Sequence, residues 1–346
     1  MSSVFRHVPA RVAITLLSAS LVAVPTATGS MAAEAGCAWH LRVAPVPEGY
    51  HDVSTTGGRN RYFVGAGQGP DGLRALLWDT TTDSVAVLDA PGHDQAGATD
   101  VNNRGVVVAN DVDTGSPFVW NRGRTVTLAR PRGATSATAS AINDAGTIVG
   151  SAMINDQHHG IVWSTHSPKK YQDLGTGDGW LHLSGVSESG RIVASTRPDE
   201  FGINVALKGT ATGGLSRIPG LDYSRDSSAR HVAGAYIEGS GTLTGDTSES
   251  SIRWNGDTAT TMPSEFRGFD VNSSGLVAGA ADKLFDGVLT GQAAVWDGDT
   301  VTSLPNYRFE GFSNITAVTE NATVVGVSQA TDDSNEGGIP VTWTCF

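Results

Sequence analysis

The chain is short of cysteine, of basic residues and of long apolar runs. Two cysteines in 346 residues supply neither a dense disulfide framework nor a metal-spaced cysteine cluster. Lys and Arg number 23 against 35 Asp and Glu, and the resulting net charge of −12 argues against a sequence-independent nucleic-acid footprint. The longest apolar stretch, Val12 to Val24, is too short and too rich in Ser and Thr to span a bilayer, so no membrane insertion is expected. A Gly-rich phosphate loop and a serine nucleophile elbow are also missing, and no cofactor or metal is implied.

What is there begins with a leader. Arg6 and Arg11 precede the apolar stretch, and small residues follow through Ala32, Ala33 and Ala35. This order of charge, apolar run and small residues reads as a secretory signal peptide over residues 1–35. Residues 36–346 are then expected to form one secreted, extracellular domain. The 43 glycines are spread along it at turn positions, as many short strands require.

The dominant feature is a repeat. A turn of the type Ile-Asn-x-x-Gly-x-Val-Val-Gly recurs, clearest at Ile142–Gly150, with further copies opening at Val101, Val186, Val271 and Val318. Each copy is followed by a short apolar run ending at Trp78, Trp120, Trp163, Leu207, Trp254, Trp296 or Trp343. A period of about 42 to 47 residues with four short strands per unit predicts an all-β, seven-bladed β-propeller. In the second unit the strands are expected over 99–102, 106–110, 117–120 and 125–128, each rich in β-branched residues. The Asn caps its own turn and the Gly supplies positive φ. Asp100 to Gly105 and Asp270 to Gly275 resemble calcium loops only superficially, since neither supplies the alternate oxygens and the closing bidentate carboxylate. The terminal Trp, replaced once by Leu207, reads as packing between blades.

These residues resemble the extracellular HAF-repeat proteins, which pair such a turn with a His-Ala-Phe-x-Trp-like strand. Here that strand is degenerate, as in Ser116–Trp120, His159–Trp163 and Gln292–Trp296. The resemblance covers most of the mature chain. It implies a propeller-like extracellular fold and brings no catalytic residues with it.

The last unit stops at Cys345-Phe346 without a fourth strand, whereas Cys37 to Pro47 reads as an orphan fourth strand. The N-terminal strand is therefore expected to close the seventh blade. The only two cysteines fall on the two strands that would meet, which predicts a Cys37–Cys345 disulfide in an oxidising compartment.

Alternating strands send the a-to-b and c-to-d turns to one face of the disc, and the b-to-c and d-to-a loops to the other. The turn face is uniform. On the loop face the last three units carry acidic insertions, Tyr236 to Ser250, Ala281 to Gln292 and Ser328 to Gly338. Its d-to-a loops bring Tyr50, Trp180, Tyr223, Arg225, Phe266, Arg267, Tyr307 and Arg308 as candidate binding residues. Variable loops over a constant scaffold are where binding residues are usually carried. The leading expectation is a monomeric binding module for a glycan, cell-surface ligand or extended peptide. A polysaccharide hydrolase or lyase using Asp178, Asp226 or Glu265 at the channel mouth is the enzymatic alternative. A third is an extracellular scaffold with no small ligand. The adjacent His158 and His159 point apart in an extended chain and make a poor metal site.

Overall fold

Short β-branched segments separated by glycine and Asx turns build seven four-stranded antiparallel sheets, with no helix among the described residues. The computed structural model describes residues 37–90, 92, 95–177, 179–198, 202–285, 288–307, 312–329 and 338–346, and the leader read over residues 1–35 lies outside them. The sheets are the blades of a seven-bladed β-propeller. In blade 2 the strands from inner to outer are Ala96–Val101, Val107–Asp111, Ser116–Asn121 and Arg124–Thr127, close to the expected positions. Blades 1 to 6 run in sequence order; the seventh combines Phe312–Val318, Val324–Gln329 and Ile339–Cys345 with Trp39–Val43 as its outer strand. That outer strand pairs from Trp39↔Cys345 to Val43↔Val341. The Cys37–Cys345 disulfide joins the two strands where the ring closes, across 308 residues of sequence.

Every inner strand carries a one-residue bulge, at Thr56, Thr99, Ser140, Ser184, Arg230, Phe269 and Thr316 in blades 1 to 7. The bulge turns a side chain toward the next blade. Thr56 Oγ1 donates to Ala98 O at 2.8 Å, Thr99 Oγ1 to Ala139 O at 3.0 Å, and Ser184 Oγ to Ala229 O at 2.7 Å. The turn asparagines add a second tie. Asn102 Oδ1 accepts from Arg104 N and Val106 N within its own turn, while its Nδ2 donates to Asn143 O in the next blade at 3.2 Å. Asn143 and Asn272 repeat this toward Ser187 O and Thr319 O. The glycine ending Val-Val-Gly is not a turn residue. A Cβ at Gly150 would lie 2.0 Å from Thr138 O, because the bulged strand backs into it; Ala109 and Ala194 stand at this register in blades 2 and 4.

The apolar core lies between blades. Val106, Val108 and Val119 of blade 2 cluster with Ile142, Ile148 and Trp163 of blade 3, and Val318, Val324 and Trp343 of blade 7 with Ala278 and Val295 of blade 6. Trp78, Trp163 and Trp343 also donate Nε1 to Pro45 O, Ala129 O and Pro305 O on the preceding blade, at 2.7, 2.8 and 2.7 Å.

Register corrects three of the sequence readings. Leu207 does not replace the tryptophan: it pairs with Ala194, and the residue at the Trp register, opposite Ile192, is Gly209. A cavity of about 340 Å³ opens in this blade, lined in part by Leu174, Leu181, Leu207 and Leu215, the last of which pairs with Gly209. In blade 5 the a-to-b turn is the two-residue Gly234-Ala235, so Tyr236–Gly241 is its second strand and the insertion is only 242–249. The cause is a shorter turn that shifts the unit's phase. In blade 6, Ala281 to Gln292 is no loop, since the strands Val277–Phe285 and Val288–Trp296 stay paired to Phe285↔Val288. Most of the third insertion, 330–337, lies outside the described residues.

Candidate functional site

The loop face gathers the expected residues into separate groups. Tyr50 is half-buried against the blade 1 core, its ring over Gly69. Trp180 opens the inner strand of blade 4, with the Arg197 guanidinium 4.8 Å from its ring centroid and His158 tilted against it at 5.2 Å. His159 turns the other way, its Nδ1 3.0 Å from Asp173 Oδ1. Tyr223 is half-buried beside Arg217; its hydroxyl donates to Ile218 O, and burial pushes the phenol up to about 12. Arg225 pairs with Asp222 at 3.7 Å and donates to Thr247 O at 3.1 Å, tying this loop to the blade 5 insertion. Phe266 is 2% exposed and packs with Met262, Val271 and Trp296, whereas the next residue, Arg267, is exposed. Tyr307 is exposed; Arg308 lies outside the described residues. Of the carboxylates, Asp226 accepts Asn204 N and Nδ2 at 2.7 and 3.2 Å, Glu265 accepts Ser264 Oγ at 3.3 Å, and Asp178 is outside the described residues.

A pocket of about 600 Å³ opens on this face between blades 5 and 6. Phe266 and Arg267 line one wall, and the short insertion carrying Ser248 and Glu249 lines another. Arg230 and Phe269 complete it, and both stand at bulge positions where the other five blades carry Thr or Ser. Arg230 is fixed from behind by Glu238, which is 0% exposed: its Nε donates to Glu238 Oε2 at 3.2 Å and its Nη2 to Oε1. Glu238 pairs with His231, and the residue at that register in the other blades is Val64, Val108, Val149, Val193, Ala278 or Val325. Arg230 is not among the residues expected from the sequence, and Glu238, expected in the acidic insertion of blade 5, lies instead on its second strand. The available signal was a carboxylate at a valine position of the repeat, hidden by the shifted phase of blade 5.

The central channel is a second concave site, a cavity of about 100 Å³ between the seven inner strands. Asp100 accepts Val101 N and, from the next blade, Ile142 N at 2.9 Å; Asp270 does the same with Val271 N and Val318 N. Desolvation outweighs these bonds and the attraction of Arg59, and raises Asp100 to about 6. Burial likewise raises Asp270, against the pull of His231. Arg59 reaches Glu320 Oε1 at 3.4 Å and lies in the field of Asp100, Asp270 and Glu188. Among the described residues no set of three or more His, Cys, Asp or Glu is placed to hold a metal ion. The channel groups tie blades together and leave little room for a ligand.

No protein-family model matches this sequence, and comparison with curated proteins finds no similar one. Solved structures are similar in fold at low identity. The β-propeller domain of the Trilobed protease from Pyrococcus furiosus matches with a TM-score of 0.59 at 9% identity, over 86% of this chain and 94% of that one. Acylaminoacyl peptidase from Pyrococcus horikoshii matches at 0.57 and 9%, over 84% of this chain but only 51% of its own length. A streptogramin B lyase matches at 0.55 and 9%, over 89% and 98%. The chain is thus similar to the β-propeller domain of a protease, to about half of a peptidase and to nearly the whole of a lyase chain, and what it shares with them is the fold.

Proposed function

We propose that this protein is a secreted binding module that recognises a glycan or an extended peptide through the loop face of the propeller. The β-propeller supports a binding or scaffold role in general; the finer reading rests on the pocket between blades 5 and 6. That pocket is concave, its volume lies in the range of ligand sites, and it mixes aromatic and aliphatic side chains with a few polar groups. It also lies where the blades depart most from their own repeat. The leader-like N-terminus supports export, as does the Cys37–Cys345 disulfide, which suits an oxidising compartment. The resemblance to HAF-repeat proteins agrees with an extracellular setting.

The test is a glycan array and a cell-wall pull-down with the secreted chain and its Arg267→Ala variant. Binding by the native chain that falls in the variant supports the reading. No binding at millimolar ligand, or equal binding by both chains, removes the loop-face pocket as the recognition site.

A further inference from the structure

The pocket between blades 5 and 6 carries an internal cost that folding does not explain. Glu238 and Arg230 place an ion pair where other blades use Val or Ala and, in most, a hydroxyl residue. Burying the Glu238 carboxylate beneath a half-exposed Arg230 sacrifices hydration, and apolar replacements of similar size are often at least as stable. What the pair does achieve is orientation. With Nε and Nη2 clamped by Glu238, Arg230 turns Nη1 to Ser228 Oγ at 3.1 Å and Ser240 Oγ at 3.4 Å, and Nη2 also reaches Gly268 O at 3.3 Å. Ser228 and Ser240 are themselves 3.1 Å apart. Both hydroxyl oxygens accept from Arg230 and one hydroxyl proton joins the pair, so Ser240 is held in place at the pocket wall.

The remaining lining has a distinct chemistry. Ser248, Ser250, Ser251 and Ser264 add hydroxyls, and Phe269 adds an apolar surface. Two exposed charges of opposite sign complete it, Arg267 on the inner strand and Glu249 on the insertion. A planar guanidinium matches a carboxylate bidentately, and a carboxylate and serines together match the donors and acceptors of neighbouring hydroxyls. A sugar ring bearing a carboxylate presents all of these groups at once, with an apolar C–H face besides. Building on the glycan reading above, we propose that this pocket seats a hexuronic acid residue of an acidic polysaccharide, its carboxylate on Arg267 and its hydroxyls on Glu249 and the serine wall.

Calorimetric titration of the mature chain tests this with oligogalacturonate and alginate oligosaccharides, methyl-esterified oligogalacturonate, neutral galacto-oligosaccharides and a poly-glutamate peptide. Binding of at least one free acid is expected, about tenfold or more tighter than binding of the ester or the neutral sugars. Arg267→Ala should lose about tenfold in affinity for the acid, Arg267→Lys should recover part of it, and thermal melting should show both variants folded. Glu249→Gln should weaken the acid and the ester alike, since it touches only hydroxyls. Equal affinity for acid and ester, neutral sugars bound in preference, or an Arg267→Ala variant with native affinity would overturn the uronate assignment and leave the glycan reading standing. Poly-glutamate bound as tightly as the uronates would make the site a carboxylate-peptide site and overturn it as well. No glycan bound at all would remove both.

Discussion

At the scale of single residues, each member of the repeat proves to have two duties. Asn102 caps its own turn through Oδ1 and holds the neighbouring blade through Nδ2, so the turn role read from the sequence is half of its work. The tryptophans show the same division, and it gives a differential prediction. Trp163 fills the interface and donates Nε1 to Ala129 O, whereas the equally buried Trp254 has no acceptor for its Nε1 among the described residues. Both Trp→Phe changes remove similar ring volume, but only Trp163→Phe loses a hydrogen bond and strands Ala129 O. Chemical denaturation should therefore find Trp163→Phe more destabilising than Trp254→Phe, by about 1 kcal/mol. Equal losses would mean that the indole hydrogen bonds add nothing to blade packing.

At the scale of elements, the decisive event is the meeting of Trp39–Val43 with Ile339–Cys345. The outer strand of blade 7 is held by one row of ladder bonds and by the disulfide at its end. Replacing Cys37 and Cys345 with serine frees the two chain ends in the unfolded state, and a loss of about 2–5 kcal/mol in unfolding free energy is expected. Reductant should bring the native protein to the same midpoint and leave the double variant unmoved. A native midpoint insensitive to reductant would show that strand pairing alone closes the ring. The elements also show where sequence reading slipped. In blade 5 the two-residue Gly234-Ala235 replaces the longer Asn-x-x-Gly turn, so Gly234 stands where the repeat would close its second strand. In blade 4 the last apolar residue of the third strand, Leu207, falls short of the tryptophan position, which backbone pairing gives to Gly209.

At the scale of the molecule, the channel holds Asp100 and Asp270 from two blades in a chain that already carries a net charge of −12. Asp100 is raised to about 6 in the fold from an ordinary value of 3.8, and burial also raises Asp270 and Glu188. A raised folded value means that the native state binds the proton more tightly than the unfolded chain does. The contribution is complete below the ordinary carboxylate value and is lost as pH rises through about 6. Stability should consequently increase on going from pH 8 to pH 5, with Asp100 contributing about 1.4 kcal/mol over that interval. Melting curves across that range check this, and Asp100→Asn should flatten part of the slope. A native protein that loses stability over the same interval would show that the channel carboxylates are better solvated than their burial implies.

The sequence by itself determined the all-β class, the number of blades, the split seventh blade and the partner of each cysteine. These follow from local properties repeated along the chain: turn chemistry, strand alternation and the count of units. It also pointed to the loop face, and there to Phe266 and Arg267. Only the tertiary structure decided which of the expected residues share a pocket, that Phe266 is core while Arg267 is exposed, and that Tyr50, Trp180 and Tyr223 are engaged elsewhere. It alone exposed the ties between blades and the Glu238–Arg230 pair. The blade-to-blade ties join residues about forty positions apart, and the buried Glu238 shows as a departure only once backbone pairing has set its register. A one-dimensional period can locate a blade but cannot say what its neighbour presents to it.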